Sequence, residues 1–428
     1  MIQLPGVVGD VVRSVGLSAA MRAAGMVTSL LPIPQPTLLV GPGASRRLGE
    51  LLGGFGHRRI LIVTDRVVSE LGLADALIAA LARGGTEHVV FDAVTADAPI
   101  AMIEDGIAFY RKHGCDAIVA FGGGSPMDTA KTIALAVAND KHPRDLVGYF
   151  RGMRSPVPVY AVPTTAGTGS EVTVAAVISD PEAGKKFVIA DTRLVPSVAA
   201  LDPALMTGLP RRVTAATGMD ALTHAVEAFL GHWSTEQSDR MALAAVALVY
   251  GNLRKAYRNG KDLAAREQMA LAATYGGLAF TRANVGYAHA IAHQLGGRYH
   301  TPHGLANAIV LPHVLAFLAP KATDRLAVLA VRAKAGRPGE RPAALARKFR
   351  ESVEALNRDL GIPPYVDALR EEDIPELAKA ACWEADTSYP VPRYMSPDDC
   401  ARLLRKLLPP AKARKARRRA GGGHAGTT

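Results

Sequence analysis

Two stretches in the second half of the chain carry the residue types of a metal site. In Thr217-Gly218-Met219-Asp220-Ala221-Leu222-Thr223-His224 the aspartate and histidine stand four apart, so a helix would put both on one face, within reach of one ion. His289 and His293 repeat the spacing in Tyr287-Ala288-His289-Ala290-Ile291-Ala292-His293, and His303 follows at an expected helix start. One carboxylate with two or three imidazoles suits Fe2+ or Zn2+. Such a set leaves the cation net positive, the condition for an alkoxide to form near neutral pH. A single histidine pair at this spacing is ordinarily surface or core decoration, and His313 is read that way. Clustered sets among small apolar residues are harder to dismiss, because buried imidazoles need partners.

Two glycine-rich segments could hold an anionic ligand. Phe121-Gly122-Gly123-Gly124-Ser125-Pro126-Met127-Asp128-Thr129-Ala130-Lys131 directly follows an apolar strand and opens a helix. Its glycines allow close backbone approach to a pyrophosphate, the N–H groups of the helix start face that anion, and Ser125 adds a hydroxyl. The second, Pro163-Thr164-Thr165-Ala166-Gly167-Thr168-Gly169-Ser170-Glu171-Val172-Thr173, interleaves small hydroxyl residues with glycine and offers donors and acceptors to a ribose or phosphate. Asp65 ends another strand, where a carboxylate accepts from adenosine ribose hydroxyls and repels a 2′-phosphate, favouring NAD. A lone aspartate there is also an ordinary helix cap, and Arg66 beside it keeps NADP open. Gly41-Pro42-Gly43 fails the dinucleotide pattern, since Arg46 stands where a third glycine belongs, and reads as a structural turn.

These loops need a sheet to present them. From residue 35 short apolar runs at Leu38 to Val40, Ile60 to Thr64, His88 to Phe91 and Ala117 to Phe121 alternate with helical lengths such as Val67 to Arg83 and Ile103 to His113. That alternation predicts a parallel sheet with right-handed crossovers. Further strand-like segments lie at Val159 to Val162, Val172 to Ser179, Lys186 to Ile189 and Val198 to Leu201. Past Pro203 the texture turns helical, with Val213 to Leu230, Asp239 to Ala256, Leu263 to Phe280, Arg341 to Leu360 and Pro397 to Leu408 carrying the helical period. The expected division is a helical extension over 1–34, an α/β dinucleotide-binding domain over 35–205, a helical metal-binding domain over 206–408 and a basic tail over 409–428.

Composition excludes other classes. At 428 residues, 49% hydrophobic and 21% charged, the chain has core enough for two domains and is not a disordered polymer. The net charge of +11 is concentrated at one end: eight Lys and Arg residues lie between Arg405 and Arg419, and no acidic residue follows Asp399. The body is nearly neutral, which argues against specific nucleic-acid binding. Three cysteines at unrelated spacings form no CxxC pair and fit a reducing cytoplasm. Pro32, Pro34 and Pro36 interrupt the uncharged stretch near the start, so no membrane span is expected there.

Taken together, the segments GGGSPMDTAK, PTTAGTGSEVT, ATGMDALTHAVEA and HAIAHQLGGRYHTPHG resemble the iron-containing alcohol dehydrogenase family, in the superfamily of dehydroquinate synthase and glycerol dehydrogenase, from about Pro36 to Leu408. The resemblance implies a Rossmann-like α/β domain followed by an all-helical one with the active site between them. It implies a homo-oligomer that moves hydride between NAD(H) and a small primary alcohol or aldehyde at a bound Fe2+, with Zn2+ accepted by the same ligands. Carried over by motif, the metal ligands are Asp220, His224, His289 and His303, and His293 becomes a proton-handling neighbour. Cofactor contacts fall on Asp65, Gly123, Gly124, Ser125, Asp128, Thr164, Thr165, Thr173 and Lys186.

The chain departs from the family pattern at Ala96-Asp97-Ala98, where many relatives have Pro-Asn-Pro. The alternative within the superfamily is an enzyme acting on a polyol or hydroxy acid, resembling glycerol dehydrogenase or hydroxyacid-oxoacid transhydrogenase. Dehydroquinate synthase chemistry fits less well, because that branch resembles a Glu-His-His arrangement with several phosphate-binding cations.

Overall fold

The structure, a computed structural model, describes Gly25, residues 31–182 and residues 185–410. The expected helix over 1–34 and the basic tail thus fall largely outside the described residues.

Six strands form one parallel sheet in the order β1 (Thr37–Val40), β9 (Val198–Leu201), β6 (Val159–Pro163), β4 (Ala117–Gly122), β2 (Arg59–Asp65), β3 (Glu87–Val94). Every residue of β4 and β6 is buried, because helices cover both faces of the sheet. The period of two divides β2 cleanly. Ile60 and Ile62 pack under Leu48 and Leu52 of α1 (Ala44–Gly53), on the face that also receives Leu77 and Leu81 from beyond β2. Leu61 and Val63 face the opposite layer, with Ile103 and Ile107 of α4 (Ile100–His113) and Ile133 of α5 (Gly124–Asn139).

Three local differences from the sequence reading have physical causes. The segment expected as one helix from Val67 to Arg83 is two, α2 (Arg66–Glu70) and α3 (Asp75–Arg83), because the chain turns at Gly72 with φ +63°. The run from Val172 to Ser179 becomes a strand only at β7 (Ala175–Asp180), Val172 being the last residue of a 3-10 turn over Ser170–Val172. β7 pairs antiparallel with β8 (Lys185–Ala190), and with β5 (Gly148–Tyr149) they make a separate small sheet instead of extending the parallel one. The Gly41-Pro42-Gly43 segment is a turn leading into α1.

After β9 the chain is helical: α6 (Arg211–Leu230), α7 (Glu236–Arg258), α8 (Leu263–Ala283), α9 (Tyr287–Tyr299), α10 (His303–Arg332), α11 (Pro342–Asp359), α12 (Ile374–Ser388) and α13 (Pro397–Arg405). α6 is the centre of this layer, buried without a break from Gly218 to Leu230. α10 is the one described helix long and apolar enough to cross a membrane. Here its Leu311, Val314, Leu315 and Leu318 are spent on the helical core, and it kinks at Ala322, two residues past Pro320.

Candidate metal and dinucleotide site

A helix buried on all sides has no room for uncompensated polar groups, yet α6 carries Asp220, Thr223, His224 and Glu227 at 5% exposure or less. Their partners define the site. One donor atom from each of Asp220, His224, His289 and His303 lies within 4.8 Å of all the others, so three helices, α6, α9 and α10, converge on one point. The His224 ring stacks on Phe280 at 4.3 Å and on His289 at 4.5 Å between centroids, and His289 stands 5.3 Å from His303. Close approach of α10 to α6 depends on Gly304: a Cβ there would meet the Ala216 carbonyl oxygen at 2.3 Å.

Two ring atoms of this cluster, His224 Nδ1 and His289 Nε2, are buried without a hydrogen-bond partner. Burial of this kind costs about 1–3 kcal/mol per orphaned atom unless something accepts the lone pair. The Asn307 side-chain amide, one turn along α10, stands 2.8 Å from Asp220 Oδ1 and 3.2 Å from His303 Nε2. Burial holds all three imidazoles neutral: the His224 pKa is lowered, that of His289 lies well below its usual value, and that of His303 falls to about 4. Neutral imidazoles and a carboxylate converging on one point, in a cluster with two unpartnered ring nitrogens, fit a divalent cation such as Fe2+ or Zn2+.

A second layer orients these rings. Glu227 Oε2 lies 2.6 Å from His289 Nδ1, and its carboxylate accepts from the main-chain N–H of Gly286 and Ala288 at 2.9 and 2.6 Å. Burial pushes the Glu227 carboxyl up to about 7, against the pull of those N–H groups. His293, whose ring stacks on His303 at 5.3 Å, is fixed at Nδ1 by Glu384 Oε1 at 2.6 Å. Glu384 in turn accepts from Tyr389 Oη and from the Gln294 amide. Sequence reasoning misses Glu227, Asn307 and Glu384. Glu227 has a usable signal, one turn beyond His224 in an apolar run, whereas Glu384 lies 91 positions from the ring it holds.

The glycine-rich segments meet at the carboxyl edge of the sheet. Gly123, Gly124 and Ser125 open α5 after β4, and Thr164 and Thr165 follow β6, the neighbouring strand. Thr164 N–H donates to Gly122 O at 3.0 Å, and a Cβ on Gly124 would meet Thr168 Cγ2 at 3.0 Å, so the two loops lie against each other. Asp65, at the end of adjacent β2, caps α2 by accepting from Val68 N–H at 2.9 Å. Asp128 accepts from Ser170 Oγ at 3.0 Å; desolvation raises its carboxyl to about 6, against the nearby Lys131. Thr173 is buried, and its hydroxyl lies 2.9 Å from the Lys131 ammonium. Lys186 pairs with Asp97 Oδ1 at 2.6 Å, while Asp97 N–H donates to Ser125 Oγ, so the unusual Ala96-Asp97-Ala98 segment joins this edge. The loop after β6 also packs on α6, the helix that carries Asp220 and His224, since a Cβ on Gly167 would meet Thr217 Cβ at 2.8 Å.

A parallel-sheet domain presenting two small-residue loops, next to a helical domain with a carboxylate–imidazole cluster, defines a metal-dependent dehydrogenase. Comparison with known proteins gives the family. Residues 35–203 match the family described as "Iron-containing alcohol dehydrogenase", and residues 214–408 match "Fe-containing alcohol dehydrogenase family, C-terminal". The chain is 37% identical to the NAD-dependent methanol dehydrogenase of Bacillus methanolicus over 87% of its length and 98% of that protein's. It is 39% identical to the 1,3-propanediol dehydrogenase of Klebsiella pneumoniae over 86% and 96% of the two chains. The crystal structure of a 1,3-propanediol oxidoreductase superposes with a TM-score of 0.85 at 37% identity, covering 88% of this chain and all of that one. The chain belongs to the iron-containing alcohol dehydrogenase family, and it is an NAD-dependent oxidoreductase.

Proposed function

We propose that this enzyme interconverts a small primary alcohol and its aldehyde with NAD(H), at a divalent cation held by Asp220, His224, His289 and His303. The observation that carries this reading is the convergence of four donor atoms within 4.8 Å, in a cluster where one ring nitrogen of His224 and one of His289 are buried without a hydrogen-bond partner. When bound, the cation supplies Lewis acidity to the substrate oxygen. The protein supplies positioning and proton handling. Gly123, Gly124, Ser125, Thr164 and Thr165 hold the dinucleotide, with Asp65 facing the adenosine ribose and Lys186 the ribose at the reacting end. Thr173 and Asp128 support that loop. His293, with Nδ1 occupied by Glu384, takes up or returns the substrate proton at Nε2.

Relatives named for methanol, 1,3-propanediol and lactaldehyde favour a short substrate. A cytoplasmic homo-oligomer is part of the proposal, and three buried free thiols fit a reducing compartment. The test is an anaerobic NAD-reduction screen over primary alcohols, diols, polyols and hydroxy acids, with metal measured on the same preparation. Asp220→Ala should lose both metal and turnover while keeping its circular dichroism; full activity in a metal-free Asp220→Ala protein would sink the proposal.

A further inference from the structure

The glycine-rich turn after β4 ends in a lysine to which the cofactor reading gives no task. A lysine following such a turn ordinarily reaches a bound phosphate. Lys131, two turns into α5, is 0% exposed and turned instead into the protein. Its Nζ donates to the main-chain oxygens of Ser170, Thr173 and Ala175 at 2.6, 2.9 and 3.0 Å, and lies 3.1 and 2.9 Å from the hydroxyls of Ser170 and Thr173. Three ammonium hydrogens thus serve five acceptors, three of them main-chain carbonyls where the loop runs into β7.

The same segment is fastened from the other side. Gly169, at φ +62°, lies so close to α8 that a Cβ would meet Gly277 Cα at 2.8 Å. Thr274 of α8 donates to the buried Glu171 carboxylate at 2.7 Å. Residues 169–175 are therefore clamped between the phosphate-facing helix of one domain and α8 of the other. Upstream in the same loop stand Thr164 and Thr165, and Gly167, packed against Thr217 of α6.

We propose that Lys131 is a positioning residue: its ammonium, without touching the dinucleotide, holds the 164–175 loop in register with Gly123–Ser125 so that the cofactor is gripped between the two. This rests on the reading of that loop as a dinucleotide site. Removing the ammonium leaves the Thr173 carbonyl without its donor and those of Ser170 and Ala175 with only 3.3 Å contacts from Thr173, and it takes away the ties that hold this segment to α5 apart from the Ser170–Asp128 hydrogen bond.

The experiment compares metal-loaded wild-type enzyme with Lys131→Met and Ser170→Ala, reading NADH affinity by fluorescence titration, KM for NAD and for alcohol, kcat, and metal content. Lys131→Met should weaken NADH binding and raise the NAD KM by at least about tenfold, the effect of stranding buried acceptors. Alcohol KM should stay within about twofold, with metal content at the wild-type level. Ser170→Ala removes one of the five acceptors and the donor to Asp128, and should shift NADH affinity the same way by about threefold. Wild-type NADH affinity in a folded Lys131→Met overturns the proposal, as does loss of metal in step with NADH binding. Should Lys131→Met not fold, unchanged NADH affinity in Ser170→Ala overturns it. A wild-type enzyme that binds no NADH overturns the dinucleotide reading itself, before any variant is compared.

Discussion

Glu227 and His289 share a buried 2.6 Å contact between Oε2 and Nδ1, and the same carboxylate caps the start of α9 through the N–H groups of Gly286 and Ala288. One side chain on α6 thereby sets both where α9 begins and which way its first histidine faces. The anion lies against the positive end of the helix, where it is favoured, and the hydrogen bond at Nδ1 fixes the tautomer that leaves the Nε2 lone pair for a cation.

Replacing Glu227 by Gln should therefore weaken metal binding without removing a ligand. The amide oxygen can still accept from the main chain, but the carboxylate charge that raises His289 basicity is lost. Affinity for Fe2+ or Zn2+ is expected to fall about 10- to 100-fold, read by competition against a chelator of known affinity, with far-ultraviolet circular dichroism unchanged. Wild-type affinity in Glu227→Gln would make the contact a helix cap only.

His293 should behave in the opposite way. It lies beside the cluster, stacked on His303, but its Nδ1 is occupied by Glu384 and it is outside the group of four. His293→Asn is expected to keep its metal while kcat drops about 100-fold, the scale of a lost general acid or base. Measured metal loss equal to that of Asp220→Ala would move His293 into the ligand set.

What is legible in the sequence follows the range of the interactions. The i,i+4 pairs on α6 and α9 are local patterns, so Asp220, His224, His289 and His293 stand out from their spacing alone, and only the resemblance sets His293 apart from the ligands. The strands are equally local: β2 shows its two faces in the alternation of Ile60, Leu61, Ile62 and Val63. Gly72 gives no comparable signal, because apolar spacing continues across it and only its positive φ breaks the helix. The antiparallel partner of β7 is a matter of pairing, which a strand's own composition does not encode. Glu384 and the acceptors of Lys131 are contacts made across tens of residues; nothing near Glu384 in the chain points to His293.

Asp65 is a residue whose two readings are both compatible with its geometry. It caps α2 through Oδ1 and it ends a strand next to β4, whose glycine-rich loop is proposed to hold the dinucleotide. Asp65→Ser keeps a capping oxygen and removes the charge that repels a 2′-phosphate. The expected result is a gain in kcat/KM for NADP of about tenfold or more with thermal stability nearly unchanged, since the cap survives. If NADP remains as poorly used as in the wild type while stability falls, Asp65 is a cap and nothing else.

Gly304 and Gly251 should respond oppositely to the same added methyl group. Both are helical, in α10 and α7, so alanine is the better helix former at each by intrinsic preference. At Gly251 a Cβ meets nothing within 4 Å, and Gly251→Ala should stabilise the fold by about 0.5–1 kcal/mol, read as a higher denaturation midpoint. At Gly304 a Cβ would lie 2.3 Å from the Ala216 carbonyl oxygen and 3.1 Å from Asp220 Cβ, both on α6. Backbone cannot step aside as a flexible side chain does, so α10 must move away from α6 and carry His303 with it. Metal affinity in Gly304→Ala should fall by about tenfold or more, since a ligand displaced even slightly loses its geometry. Equal metal affinity in the two alanine variants would show that α10 can shift along α6 without disturbing the cluster, and would contradict the view that this one close approach sets the distance between His303 and Asp220.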